Sequence, residues 1–179
     1  PFFTDYETPY KIPPFEKIKE AHYMPAFTQG MKEQLNEIDI ITDNSDSPTF
    51  ENTIVELERT GKTLNKVADV FFNLLSSNTN EEMDQIAADI SPKLSAHRDA
   101  ISLNKKLFDR VHAVYEQRSE LGLNTEQMRL VEETHKGFIR SGVQLDEPSM
   151  AELTQINQEL SSLSVQFDQN LLKETNEGF

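Results

Sequence analysis

The sequence contains no cysteine and no tryptophan. Without cysteine there are no disulfides, no thiolate nucleophile and no cysteine-ligated zinc. Glycine and proline are scarce too, 6 and 8 among 179 residues, and they cluster between long periodic stretches, which disfavours an all-β chain. No apolar run approaches the roughly 18 residues of a membrane span, and no signal-peptide pattern opens the chain. The first residue is Pro1 rather than Met, which reads as a processed or trimmed start. Basic residues are outnumbered 17 to 31, for a net charge of −14. Such a field repels polyanions, so neither nucleic acid nor an anionic membrane is an expected partner. What remains is 36% hydrophobic and 27% charged residues, a globular profile with a thin core. Residues 1–179 show no short-period repeat and no low-complexity linker, so a single domain is the simplest parse.

Pro9, Pro13 and Pro14 block helix near the start, so residues 1–14 are expected to form an extended arm. Phe2, Phe3, Tyr6 and Tyr10 make that arm too apolar to hang free. A first helix is expected from around His22–Pro25, with Phe27, Met31, Leu35, Ile38 and Ile41 as its stripe. Asp43 to Pro48 breaks it. Thr49 reads as the N-cap of a second helix carrying Phe50, Ile54, Leu57, Leu64, Ala68, Phe71 and Leu75. After a break at Ser76–Asn80, Thr79-x-x-Glu82 reads as a capping box. The third stretch runs from Met83 through Ile90, Leu94, Ile101 and Leu107 to Val114, with a kink or restart expected at Ser91-Pro92. Beyond Gly122, Thr125 opens a fourth helix through Val131, His135 and Phe138, which Ser141-Gly142 ends. The last helix follows Pro148, with Ser149-x-x-Glu152 as its capping box. Its seam is Met150, Leu153, Ile156, Leu160, Leu163, Phe167 and Leu171. The expected fold is all-α, a bundle of five or six helices.

Chemistry is sparse in this pattern. No two of His22, His97, His112 and His135 stand four residues apart, the spacing that lets one helix face grip zinc. Glu132-x-x-His135 matches half of a di-iron helix-bundle pattern, and Asp109-x-x-His112 is a weaker echo. His135 shares its stripe with Val131 and Phe138, so the preferred reading is a hydrogen-bonded core histidine. There is no Gly-x-Ser-x-Gly elbow and no phosphate-cradling glycine loop. The runs Glu81-Glu82 and Glu132-Glu133 read as solvated helix surface. No catalytic and no metal-binding residue is assigned, and substrate contacts stay unassigned.

Several strings together carry a resemblance. Ile12-Pro13-Pro14-Phe15-Glu16-Lys17-Ile18-Lys19, followed by His22-Tyr23-Met24-Pro25-Ala26-Phe27, resembles the opening of the M3 family of zinc oligopeptidases. Pro48-Thr49-Phe50-Glu51-Asn52-Thr53-Ile54 and Phe138-Ile139-Arg140-Ser141-Gly142-Val143-Gln144-Leu145 are similar to later blocks. The last helix, with Glu159-Leu160-Ser161-Ser162-Leu163 and Phe167-Asp168-Gln169-Asn170, fits as well. Tyr10 to Phe15, Gly30-Met31 and Ser91 to His97 look most like the bacterial peptidyl-dipeptidase branch, with oligopeptidase A and thimet-type enzymes as rivals.

The resemblance implies a neurolysin-like N-terminal helical domain, cut before the catalytic domain. The family's H-E-x-x-H motif is absent, since no histidine here is followed by glutamate. In the parent, that motif and a later glutamate would hold zinc with one position open for water. The motif's own glutamate would be the general base. Such a parent would release C-terminal dipeptides from unstructured oligopeptides, and this chain would form one wall of the channel leading to the metal. Its expected partners are the peptide substrates and its own C-terminal catalytic domain, in a cytoplasmic or periplasmic setting. The alternative is a free-standing helical interaction module. Val165 and Leu172 lie beside the seam of the last helix, so its apolar stripe is expected to serve two partners, one of them outside this chain. The isolated chain is then expected to self-associate through this helix or through the Phe2–Tyr10 arm.

Overall fold

A computed structural model describes residues 1–177. No strand forms among the described residues, and the chain is all-α as expected. In chain order the α-helices are α1 (Tyr23–Thr42), the one-turn α2 (Glu56–Arg59), α3 (Lys62–Ser77), α4 (Glu81–Ser102), α5 (Lys105–Gln117), α6 (Thr125–Arg140) and α7 (Glu147–Glu177). Six of them have 13 residues or more.

Most of the expected breaks are present, with several shifts. Thr49 does cap its helix, accepting from the Asn52 N–H at 3.1 Å, but the first turns form a π-helix, Phe50–Val55. The second helix is then cut at Thr60-Gly61, where Gly61 takes φ 75, a left-handed conformation that a side chain would strain. Pro92 does not break its helix and lies inside α4. The break falls at Leu103-Asn104 instead, because the Asn104 side chain caps α5 by accepting from the Leu107 N–H at 3.0 Å. The two capping boxes also move. Asn80, not Thr79, caps α4 through the Met83 N–H at 2.9 Å, and Asp146, not Ser149, caps α7 through the Ser149 N–H at 2.9 Å. Each side chain carries an oxygen two bonds from its Cβ, which suits it to capping as well as a hydroxyl. The arm is not uniformly extended either. A 3-10 turn at Pro9–Lys11 holds Tyr10 and Lys11 at φ 58 and 56, closed by Thr8 Oγ1 donating to the Ile12 carbonyl.

Two compact units divide the chain. The first comprises residues 1–33, 61–96 and those from 155 on. Its core joins Tyr23 and Phe27 of α1 to Leu64, Val67 and Phe71 of α3 and to Met83, Ile86 and Ile90 of α4. Phe71 meets Tyr23 and Phe27 edge-on, with ring centroids 5.0 and 5.4 Å apart. Phe2 is buried against Tyr23 at 5.6 Å, so the arm does lie on the bundle. Lys66 fastens it further, sitting over the Tyr6 ring and donating to the Thr4 carbonyl. The second unit comprises residues 34–60 and 97–154. Ile38 and Ile41, then Phe50 and Ile54 of the π-turn, pack with Leu107, Phe108, Val111 and Val114 of α5 and with Val131 and Phe138 of α6.

Gly30 explains how closely α1 and α3 approach. A Cβ there would lie 2.8 Å from the Leu64 Cα and 2.9 Å from its nitrogen, both backbone atoms that cannot swing aside. Alanine is the better helix former by about 1 kcal/mol, but overpacking against fixed backbone costs about 1–3 kcal/mol. Gly30→Ala is therefore expected to lower stability by up to about 2 kcal/mol, seen as an earlier urea midpoint. A midpoint at or above that of the parent chain would show that the helices can separate freely.

Candidate functional site

The four histidines, with Glu132 and Asp109, were the ligand candidates that the sequence offered, and the structure disperses two of the histidines. His22 closes a turn, its Nδ1 accepting from the Lys19 N–H at 3.0 Å. His97 is buried, with Nε2 2.8 Å from Gln34 Oε1, and burial pushes its pKa below the ordinary histidine value. His112 of α5 and His135 of α6 come together, with His112 Nδ1 3.0 Å from His135 Nε2. His135 is buried, as its place between Val131 and Phe138 on the α6 stripe led us to expect. Glu132 does not join the imidazoles; its Oε1 lies 3.6 Å from Arg118 Nε. Among the described residues no group of three or more His, Cys, Asp or Glu side chains is placed to hold a metal ion. The described residues therefore assemble no set that fits the zinc the resemblance implies.

A second constellation centres on Arg110, a buried cation that sequence reasoning overlooked. Its Nη1 donates to the carbonyls of Asn44 at 2.7 Å and Asp46 at 3.2 Å, and its Nη2 donates to Asn52 Oδ1 at 3.1 Å. Asn52 in turn accepts from the Thr49 N–H at 2.8 Å and donates from Nδ2 to the Ser47 carbonyl at 3.0 Å. The segment Pro48 to Ile54 thus owes its pattern to folding: Asn52 is the polar hub, while Phe50 and Ile54 enter the core. A detectable signal existed in α5, where Arg110 stands three residues after Leu107 and one before Val111 on an otherwise apolar face.

The third feature is the outer face of α7. Ile156, Leu160, Leu163, Phe167 and Leu171 are all more than half exposed. The half-buried positions of the same stretch are Asn157, Gln158, Ser161, Val165 and Gln169. Gln169 Nε2 donates to the Asp84 carbonyl at 2.8 Å, and Val165 alone of the five is apolar and packs on the first core. From Ile156 on, the expected seam faces water and the side position Val165 is what packs, while Met150 and Leu153 at its start are half-buried. A row of large exposed apolar side chains of this kind is uncommon on a folded monomer.

Comparison with known proteins gives the context. No family model matches the chain. It is 40% identical over 170 residues to the dipeptidyl carboxypeptidase of Salmonella typhimurium, covering 95% of this chain and 25% of that protein. The dipeptidyl carboxypeptidase of Escherichia coli is 39% identical over 178 residues, covering 99% of this chain and 26% of that protein. Oligopeptidase A of Escherichia coli is 24% identical over 168 residues, at 94% and 25% coverage. The chain spans about a quarter of the length of these relatives.

The Arg110 hub yields a quantitative expectation. Arg110→Ala leaves two carbonyls and the Asn52 oxygen without their charged donor, a loss of about 2–4 kcal/mol for a buried network. Arg110→Lys is expected to recover less than half, since one ammonium cannot reproduce the planar fork. Urea melts of the three proteins measure this, and a lysine variant as stable as the parent would remove the hub's importance.

Proposed function

We propose that this chain belongs to the M3 family of peptidases and serves there as a non-catalytic helical portion, one wall of a channel that admits unstructured oligopeptides. One observation carries this reading: 95–99% of the chain aligns with dipeptidyl carboxypeptidases four times its length. The whole protein would hydrolyse peptides and release C-terminal dipeptides, in keeping with those relatives' name. Identities of 39–40% against 24% for oligopeptidase A favour that branch over an endopeptidase. The zinc, its ligands and the general base would lie outside this chain, since the described residues assemble no ligand set.

The face of α7 supports the same reading from the physical side. Five large apolar residues in water forgo about 25 cal/mol for every Å² they might bury. The inner face of the helix is largely polar, so a simple rotation about its axis would not bury the seam without exposing Val165 and breaking the Gln169 bond. Burial therefore needs an external surface, and the remainder of the peptidase is the proposed one. In its absence a second copy of the chain would serve, through the same seam.

Two measurements follow. The isolated chain is expected to release no dipeptide from an unstructured peptide and to retain no stoichiometric zinc after dialysis. One equivalent of retained zinc would overturn the non-catalytic reading. Light scattering across a concentration series is expected to show self-association, suppressed by the double substitution Leu160→Glu, Phe167→Glu with the helical circular dichroism unchanged. A strictly monomeric parent chain that binds no apolar dye would rule out α7 as a docking face.

A further inference from the structure

We propose that His112 and His135 form a proton-operated clasp between α5 and α6, closed while the pair carries at most one positive charge and open when both rings are protonated. The geometry follows from counting protons. The two nitrogens stand 3.0 Å apart, so a single hydrogen must lie between them. A neutral pair meets this condition, with one ring donating and the other accepting. A singly charged pair meets it as well, with His112 as the imidazolium and His135 as the acceptor. A doubly charged pair cannot, because both nitrogens then carry hydrogens and face each other N–H to N–H. The clasp thus tolerates one proton from solvent and refuses the second.

The surroundings decide which ring takes the first proton. His112 is exposed and His135 is buried, so charge is cheaper on His112. His135 stacks on Tyr115 at 3.9 Å between centroids with only 7° between planes, and lies 5.5 Å from Phe108. Arg118 sits 3.8 Å over the same Tyr115 ring, placing a fixed cation near the stack. Burial, a charged His112 and Arg118 all hold the His135 pKa below its ordinary value, and only Glu116 opposes them. Glu132 from α6 is engaged with Arg118. The π-turn packed on both helices presents Phe50, Thr53 and Ile54 to the core, none of them charged. Ile38 and Ile41 of α1 complete the same core without adding charge.

The sign of the effect is fixed by linkage. Unfolding returns His135 to an ordinary value near 6.5, so below that pH the unfolded chain takes up a proton that the closed clasp refuses. Stability of the second unit is full above about pH 6.5 and falls as the pH drops below it. His97, buried in the same unit and shifted in the same direction, adds a slope that does not depend on the clasp.

The test combines titration with stability. In the full chain, imidazole NMR signals across pH 4.5–8 are expected to show His135 staying neutral while the α5–α6 signals persist, and charging only with their loss. His135→Phe keeps an aromatic ring on Tyr115 and is expected to reduce at least about threefold the change in folding constant between pH 7.5 and 5. His112→Asn, at the exposed position, is expected to raise the His135 titration midpoint without unfolding the chain, and serves if the phenylalanine variant does not fold. His135 titrating near its ordinary value of about 6.5 with the α5–α6 signals intact, or a pH dependence unchanged in both variants, would overturn the clasp. Simultaneous loss of both signals on adding one equivalent of zinc would also overturn it, by making the pair a metal site.

Discussion

Apolar surface is in short supply in this chain, and each core must be completed with what lies to hand. In the first unit the last piece is Phe2, drawn from a proline-rich arm that cannot be helical and fastened by Lys66 over Tyr6. In the second it is Phe50 and Ile54, delivered by a π-turn rather than a regular helix. Against this scarcity, five large apolar side chains of α7 stand in water. This imbalance is what links the fold to the proposed functional reading.

Polar groups do the joining where apolar area does not suffice. Arg110 gathers the Asn44–Asn52 segment around one guanidinium, and Asn80 both caps α4 and donates to Glu20 Oε1 at 3.0 Å. Gln169 performs a similar task for α7 by bonding the Asp84 carbonyl. Such bonds are directional and partly shielded, so they specify which segments meet. The exposed ion pairs, such as Arg59 with Glu56 at 2.8 Å, contribute far less, because solvent screens them and the side chains lose freedom in forming them.

The functional reading and the histidine clasp rest on different physics. The proposed family membership rests on similarity along the whole chain, and the proposed docking face on unburied apolar area of α7. The clasp comes from two imidazoles that share one hydrogen across α5 and α6. The proposed docking face and the proposed clasp can therefore be tested separately.

Local periodicity and turn chemistry made much of the fold legible. The stripes of α1, α5 and α6, the Thr49 cap and the stops at Gly122 and Gly142 are decided by interactions within a few residues, and they appear in the structure close to where the sequence puts them. The cut at Gly61 and the cap at Asn104 were missed because the apolar rhythm continues across both positions, and rhythm alone cannot register a turn of the backbone. Which face of α7 turns inward was not legible at all. Its apolar seam predicts burial somewhere, but Val165 and Gln169 meet the first unit because of where distant residues such as Asp84 stand. For the same reason Glu-x-x-His and Asp-x-x-His could be seen as two separate fragments, whereas the meeting of His112 and His135 could not. They lie 23 residues apart on different helices, and only the packing of those helices brings one ring nitrogen within reach of the other.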